Sequence, residues 1–245
     1  MDALPELLGR DVGAMVFGVG GALALTSCFE LLASRGLLQR VLSRKLVHVL
    51  SGPLFACSWP LYSPSPFAPL LASAVPALQM LRLLAVGTGV LTDERSVRSI
   101  SRSGARSELL RGPLFYSGAL TIVTASCWRT DASGVLVISL LCGGDGIADI
   151  AGRTLGGPKL LWNKSKSLAG SASMAMVGFA LGTSLIAFFH SQGYMHLQLS
   201  TCVLGVLLVS IGATLVESLP INQYVDDNIS VPVTTYLLAE LLDLS

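Results

Sequence analysis

The sequence predicts an all-α, polytopic integral membrane protein with about seven or eight transmembrane helices. Three observations carry this. Hydrophobic residues make up 52% of the 245 and charged residues only 13%, against about 25% charged in an ordinary soluble domain. The apolar residues gather into runs near the ~20 residues that cross a bilayer. Basic residues, finally, fall on alternate connections, the asymmetry expected of cytosol- or stroma-facing loops.

In chain order the runs lie at about 12–34, 46–62, 67–91, 112–128, 133–151, 169–189, 199–219 and 229–244. The second and last are short, so seven is the lower count. The third contains Arg82. Pro113 suits the first turn of the fourth, with Glu108 and Arg111 spaced i, i+3 just ahead of it as a structural cap. The fifth, VLVISLLC, runs into Asp145 and Asp149; the sixth begins near Ser167 to Ser171; the seventh ends at Glu217, and YVDDN (224–228) leads into the eighth. Connections 35–45, 92–111 and 152–168 hold four, five and four of the sixteen Lys and Arg. These loops should therefore face cytosol or stroma.

We read 1–245 as a single multi-pass domain, with no repeat of solenoid period. The net charge of +1 and the lack of a basic patch with interleaved aromatics exclude a nucleic-acid partner, and no protein partner is expected. Five scattered cysteines, with no CxxC, read as small buried thiols rather than a zinc site or a disulfide framework. The opening MDALPELLGRD has neither the basic start of a signal peptide nor the Arg/Ser bias of a transit peptide; on that reading either the first span is the address or a presequence is missing.

The stretch CGGDGIADIAGRTLG (142–156) holds the chemistry. An ionised Asp in a bilayer costs roughly 2.5–3.5 kcal/mol even on the lenient insertion scale, and Asp145 and Asp149, four apart on one helix face, also repel each other. A bound cation relieves both penalties. Hard carboxylate oxygens suit Mg²⁺, which typically binds one or two carboxylates plus substrate phosphates. The plainer alternative pairs Asp149 with Arg153 at an interfacial helix end, but it leaves Gly143, Gly144, Gly146 and Gly152 unexplained.

Directly downstream, Arg153, Lys159, Lys164 and Lys166 occupy a Gly-rich loop before a helix start at Ser167–Ser171, whose backbone N–H groups and dipole favour phosphate. Carboxylates, cations and a helix start together make a polyphosphate site. Gly152 to Gly157 is not a Walker A motif, because Pro158 and Lys159 stand where Lys and Ser/Thr are required. Arg44 and His48 share a helix face on the same side; His48 either positions a substrate hydroxyl, acts as base, or packs at the interface. Glu217 and the turn Asp226, Asp227, Asn228 read either as a solvated acidic turn or as a second metal contact and a hold on a nucleotide's ribose and base.

Five ordered segments carry a family resemblance: RKLVHVLSG (44–52), ELLRGPLFYSGAL (108–120), CGGDGIADIAGRTLG, WNKSKSLAGS (162–171) and ESLPINQYVDDNISVP (217–232). Together they resemble the plant phytol kinase and farnesol kinase family and, more distantly, dolichol kinases and other CTP-dependent lipid kinases. The resemblance implies a membrane kinase that phosphorylates an isoprenoid alcohol such as phytol, geranylgeraniol or farnesol, in tocopherol and isoprenoid salvage. Its donor would be CTP, or in some members UTP, with a divalent metal such as Mg²⁺. It would work in a plastid (chloroplast) or endoplasmic reticulum membrane.

The motif match gives Asp145, Asp149, Lys164, Lys166, Ser167 and Gly170 nucleotide-site roles. With the loop and turn just described, the expected nucleotide-binding set is Arg153, Lys159, Asn163, Lys164, Lys166, Ser167, Gly170, Asp226, Asp227 and Asn228, drawn from 142–171 and 217–230. The metal set is Asp145, Asp149 and Glu217, and the catalytic set is Asp145, Asp149 and His48. The competing readings are a dolichol or diacylglycerol kinase, a cytidylyltransferase with the same CTP and Mg²⁺ grip, and, from another class, a cation or proton transporter.

The orientation has a direct check. Asn163-Lys164-Ser165 and Asn228-Ile229-Ser230 fit the N-glycosylation sequon, yet both fall on the basic, non-lumenal side. Expression in a glycosylating host should leave both unmodified; a glycosidase-sensitive mobility shift lost in Asn163→Gln or Asn228→Gln would invert the topology.

Overall fold

A computed structural model describes residues 3–244. The described residues form ten α-helices and no strand: α1 (Ala3–Ser34), α2 (Arg40–Cys57), α3 (Ala68–Thr88), α4 (Glu94–Ile100), α5 (Gly112–Ser126), α6 (Ala132–Ile138), α7 (Asp145–Thr154), α8 (Leu168–Ser191), α9 (Leu199–Ser218) and α10 (Asp227–Leu241). A π turn, Ser139–Gly144, joins α6 to α7, and short 3₁₀ turns fill Trp59–Leu61, Arg106–Leu110 and Pro220–Gln223. Among them, Pro5–Ser34, Ala68–Thr88, Ala132–Thr154 and Leu168–Ser191 are long and apolar enough to cross a membrane, with Cys202–Ser218 a shorter apolar helix. Helices α2, α5 and α10 have 18, 15 and 15 residues, at or below the usual spanning length.

The chain divides into two compact units, Met1–Val47 with Cys57–Ser126, and His48–Ala56 with Cys127–Ser245. In the first, α3 packs on α5, on the Arg106–Leu110 turn and on α1, around Leu83, Val86 and Leu109. Helix α1 starts nine residues before its expected beginning at 12, because Arg10 and Asp11 lie on the helix instead of ahead of it. The buried Asp11 carboxylate accepts the Ser63 N–H at 2.6 Å and the Ser63 hydroxyl at 2.8 Å, while Arg10 donates to the Leu61 carbonyl at 2.8 Å and the Pro60 carbonyl at 3.2 Å. An acid is tolerated inside an apolar helix when its oxygens are hydrogen-bonded.

Arg82, the charge inside the third run, reaches out of α3 to Asp93 and Ser96 at the start of α4. The Ser96 backbone N–H and the Arg82 guanidinium hold the Asp93 carboxyl well below the usual range, at about 2. The expected Glu108–Arg111 cap takes a different form: Glu108 accepts hydrogen bonds from the Arg102 and Ser103 backbone and from the Ser103 hydroxyl, closing the loop ahead of α5. Cys28 and Cys57, expected to be buried, are exposed, whereas Cys127, Cys142 and Cys202 are buried.

The second unit is built around the rod α6–π turn–α7. Of its most apolar stretch 83% is buried, against 39% for α8, so this rod is core. Helix α8 packs along α7 and the π turn, α9 on α8, and α10 on α9 and α6. Helix starts follow from their capping side chains: Asp131 accepts from the Ser133 N–H before α6, Ser167 from the Gly170 N–H before α8, and Asp226 from the Asn228 N–H before α10.

Asp11→Ala removes the acceptor for two Ser63 donors, and charged hydrogen bonds of this kind contribute about 1.5–3 kcal/mol each. Thermal unfolding of the detergent-solubilised variant should show a clearly lowered Tm, with Ser63→Ala less affected. Equal Tm values for Asp11→Ala and the unmodified protein would show that this clasp contributes nothing to stability.

Candidate active site

Three carboxylates from three helix ends converge in the second unit. Asp145 opens α7, Glu217 closes α9 and Asp227 opens α10; one oxygen from each lies within 4.8 Å of the others. Asp145 and Glu217 are buried, with Glu217 only 2% exposed. Burying like charges together demands a counter-charge, and Lys166 supplies it. Its ammonium contacts the Glu217 carboxylate and lies 3.2 Å from Asp227 Oδ2. Burial alone would push the Lys166 ammonium down, but Glu217 and Asp227 outweigh it and hold its pKa above the usual lysine value. Lys166 therefore stays charged at any physiological pH.

The connection between α7 and α8 delivers Lys166. Lys159 and Ser167 form an antiparallel bridge, and Leu160 N–H donates to the Lys166 carbonyl at 3.1 Å, so the segment folds into a small hairpin. Asn163 fastens it to the end of α9: its amide donates to the Ser218 and Leu219 carbonyls at 3.1 and 3.3 Å, and its Oδ1 accepts from Ser165. Trp162 Nε1 adds a bond to the Ser218 hydroxyl at 3.1 Å. Lys166 is thus held three residues from an anchored Asn, beside the last turn of α9.

Close packing seats α7 against α8. A Cβ at Gly170 would lie 2.8 Å from the Ala148 carbonyl oxygen, and one at Gly152 would lie 3.0 Å from Ser167 Oγ. Two of the α8 amides expected to be open to phosphate are already used, Leu168 N–H by the Pro158 carbonyl and Gly170 N–H by Ser167 Oγ.

On the other flank, His48 Nε2 lies 3.0 Å from the Leu141 carbonyl oxygen and 3.5 Å from Asp145 Oδ2. A carbonyl only accepts, so Nε2 carries the proton. The π turn makes this contact: Asp145 N–H reaches back to the Leu140 carbonyl, whereas in an α-helix it would take Leu141. The Leu141 carbonyl accordingly faces His48.

Of the expected site residues, the structure brings Asp145, Glu217, Asp227, Lys166 and His48 together. Asp149 lies one turn along α7, where its Oδ1 takes the Arg153 Nε at 2.9 Å, the pairing raised as the plainer alternative. Lys159 and Lys164 are exposed on the hairpin. Ser167, Gly170, Asn163 and Asp226 hold the local fold: a cap, a helix contact, a tie and a cap. Asn228 donates its N–H and Nδ2 to Asp226 at 3.0 and 2.7 Å. Sequence reasoning missed that Lys166 pairs with Glu217 and Asp227; the available signal was one lone buried acid at the end of an apolar run, which needs a cation.

Comparison with known proteins places this geometry. The chain is 46% identical over 237 residues to the probable chloroplastic phytol kinase of Triticum aestivum, covering 97% of this chain and 79% of the relative. Against phytol kinase 1, chloroplastic, of Arabidopsis thaliana it is 46% identical over 232 residues, 95% of this chain and 76% of the relative. Against a probable phytol kinase 2 of rice it is 44% identical over 235 residues, 96% and 77%. The chain belongs to the phytol kinase family. It is accordingly a phosphotransferase with an alcohol acceptor. No protein-family model and no solved structure matches it.

Three hard carboxylate donors within one small space fit a divalent cation such as Mg²⁺. The charge count agrees: three carboxylates less one ammonium leave two negative charges. Asp227 Oδ1 is buried and accepts no hydrogen bond, which leaves it open to a ligand.

Breaking a buried ion pair by deleting one partner costs about 3–5 kcal/mol, whereas replacing both can be nearly neutral. Lys166→Met and Glu217→Gln should therefore each lower Tm strongly, and the double variant should recover much of the loss. Additive losses in this cycle would show that the two side chains are not coupled.

Proposed function

We propose that this kinase transfers the γ-phosphoryl group of CTP, with UTP the second donor, to a long-chain isoprenoid alcohol, phytol foremost with geranylgeraniol and farnesol as related acceptors. Family membership supports the acceptor class, since the relatives are named phytol kinases. The observation that supports the site is the buried convergence of Asp145, Glu217 and Asp227 on Lys166. The chloroplastic names and the apolar helices support a chloroplast membrane protein; we further propose that loops 35–45, 92–111 and 152–168 face the stroma, where the nucleotide is.

Asp145, Glu217 and Asp227 would hold the Mg²⁺. The ion, when bound, neutralises phosphate oxygens and so favours transfer. Lys166 gives the same oxygens a fixed ammonium that needs no reorganisation during the reaction. Arg153, Lys159 and Lys164, exposed on the α7–α8 connection, draw the polyphosphate toward this point. His48 donates from Nε2 to the Leu141 carbonyl and sits against Asp145, which makes it a positioning residue for that carboxylate. The alcohol reaches the same place from the bilayer, its chain remaining in lipid.

Purified protein would be given Mg²⁺, each of CTP, UTP, GTP and ATP, and a panel of phytol, geranylgeraniol, farnesol, dolichol and diacylglycerol. The expected product is the monophosphate of the isoprenoid alcohols, formed best with CTP. Asp145→Asn should retain its fold yet lose at least ~100-fold in kcat, the usual scale for removing one preorganised electrostatic group. Product from dolichol or diacylglycerol alone, or transfer of a nucleotidyl group, would move the assignment to the competing enzymes.

A further inference from the structure

Inside the second unit, buried hydroxyls usually bond back to their own helix. Ser139 donates to the Val135 carbonyl at 2.8 Å, Ser210 to Val206 at 2.7 Å and Thr235 to Val231 at 2.8 Å. Thr214 and Ser230 break the pattern: they are 7% and 9% exposed, and neither hydroxyl has a hydrogen-bond partner. A buried, unpaired hydroxyl in a native fold calls for an explanation.

Their positions supply one. Thr214 precedes Glu217 by three residues on α9, and Ser230 follows Asp227 by three on α10, so each shares a helix face with its carboxylate, one turn away. Both lie on the helix-interior side of the carboxylates. The hairpin residues Asn163 and Lys166 lie on the helix-end side, at Ser218, Leu219 and Glu217. Asp227 Oδ1 and Asn228 Oδ1, in the same first turn of α10, are likewise buried without partners. Ser133 and Thr183 also carry unpartnered hydroxyls, but they sit ~3 turns or more along their helices from Asp145 and Ser167. Unmet hydrogen-bonding capacity is thus concentrated between α9 and α10, on the apolar side of the charged cluster.

The ligand that arrives on that side carries one neutral hydroxyl on a hydrocarbon chain. We propose that the Thr214 and Ser230 hydroxyls seat the hydroxyl of the acceptor alcohol beside Asp227 and Glu217, leaving the nucleotide to the lysine side. This rests on the alcohol-kinase reading above. Thr214 and Ser230 are specificity-determining: a site built to bond an alcohol hydroxyl discriminates by leaving its own groups unpaired when the wrong head enters.

Thr214→Val and Ser230→Ala remove the hydroxyls with little change of shape, and deleting an unpaired hydroxyl should leave Tm equal or higher. In detergent with CTP and Mg²⁺, each is expected to lose about tenfold in kcat/KM for phytol with KM for CTP unchanged, the scale of one hydrogen bond. Thr214→Ser should restore the phytol value. Without nucleotide or divalent cation, phytol should raise the Tm of the unmodified protein and fail to raise that of the double variant. Unmodified kcat/KM for phytol in both variants, or a loss confined to KM for CTP, overturns the proposal while leaving the kinase reading intact. An unmodified protein that phosphorylates no alcohol overturns the kinase reading and this proposal together.

Discussion

The site depends on the ammonium of Lys166 lying among buried carboxylates. Glu217 sits at the C-terminal end of α9, where the helix dipole is negative, so burial and dipole both oppose its charge. Asp227, at the first position of α10, has the dipole in its favour. The heavier demand on Lys166 is therefore at Glu217, and it is Glu217 that the ammonium touches. Without this contact, bringing α7, α9 and α10 together would leave two or three like charges facing one another in a water-poor interior. With it, the cluster keeps just enough negative charge to attract a cation and not enough to force the helices apart.

A single flexible lysine does not hold such a position unaided, because ordering its side chain carries an entropic cost. The hairpin between α7 and α8 meets that cost in advance. The Lys159–Ser167 bridge, the Asn163 tie to the end of α9 and the Ser167 cap fix the backbone on both sides of Lys166. Most of the polar residues in this loop thus act on protein, not on ligand. The glycines follow the same logic: Gly152 and Gly170 let α7 and α8 approach closely enough that Asp145 and the hairpin share one end of the unit.

The all-α membrane class, the basic loops and the chemical importance of 142–171 were legible in the sequence because each rests on local composition. So was the Asp149–Arg153 pair, a four-residue spacing on one helix. What depends on distant residues was harder to read. Asp145 and Asp149 looked like partners because they are neighbours in sequence, whereas the structure pairs Asp145 with carboxylates 72 and 82 residues away. Glu217 and Asp227 could be nominated as charged residues beside an apolar run, but nothing in a one-dimensional pattern specifies that the ends of α7, α9 and α10 meet. The start of α1 was misjudged for a related reason. Arg10 and Asp11 read as solvent-facing until Pro60, Leu61 and Ser63, fifty residues on, supply their partners.

The π turn at Ser139–Gly144 also bears on how this rod tolerates insertions and deletions. Such a turn is an α-helix carrying one surplus residue. Removing a residue there would let the rod relax to regular α geometry and rotate everything after it by about 100°, carrying Asp145 away from α9 and α10 and returning the Leu141 carbonyl to its own helix. Substitutions along α6 and α7 disturb one contact at a time. A length change inside these six residues disconnects the whole cluster, so the number of residues between Asp131 and Asp145 is under tighter constraint than the identity of most of them.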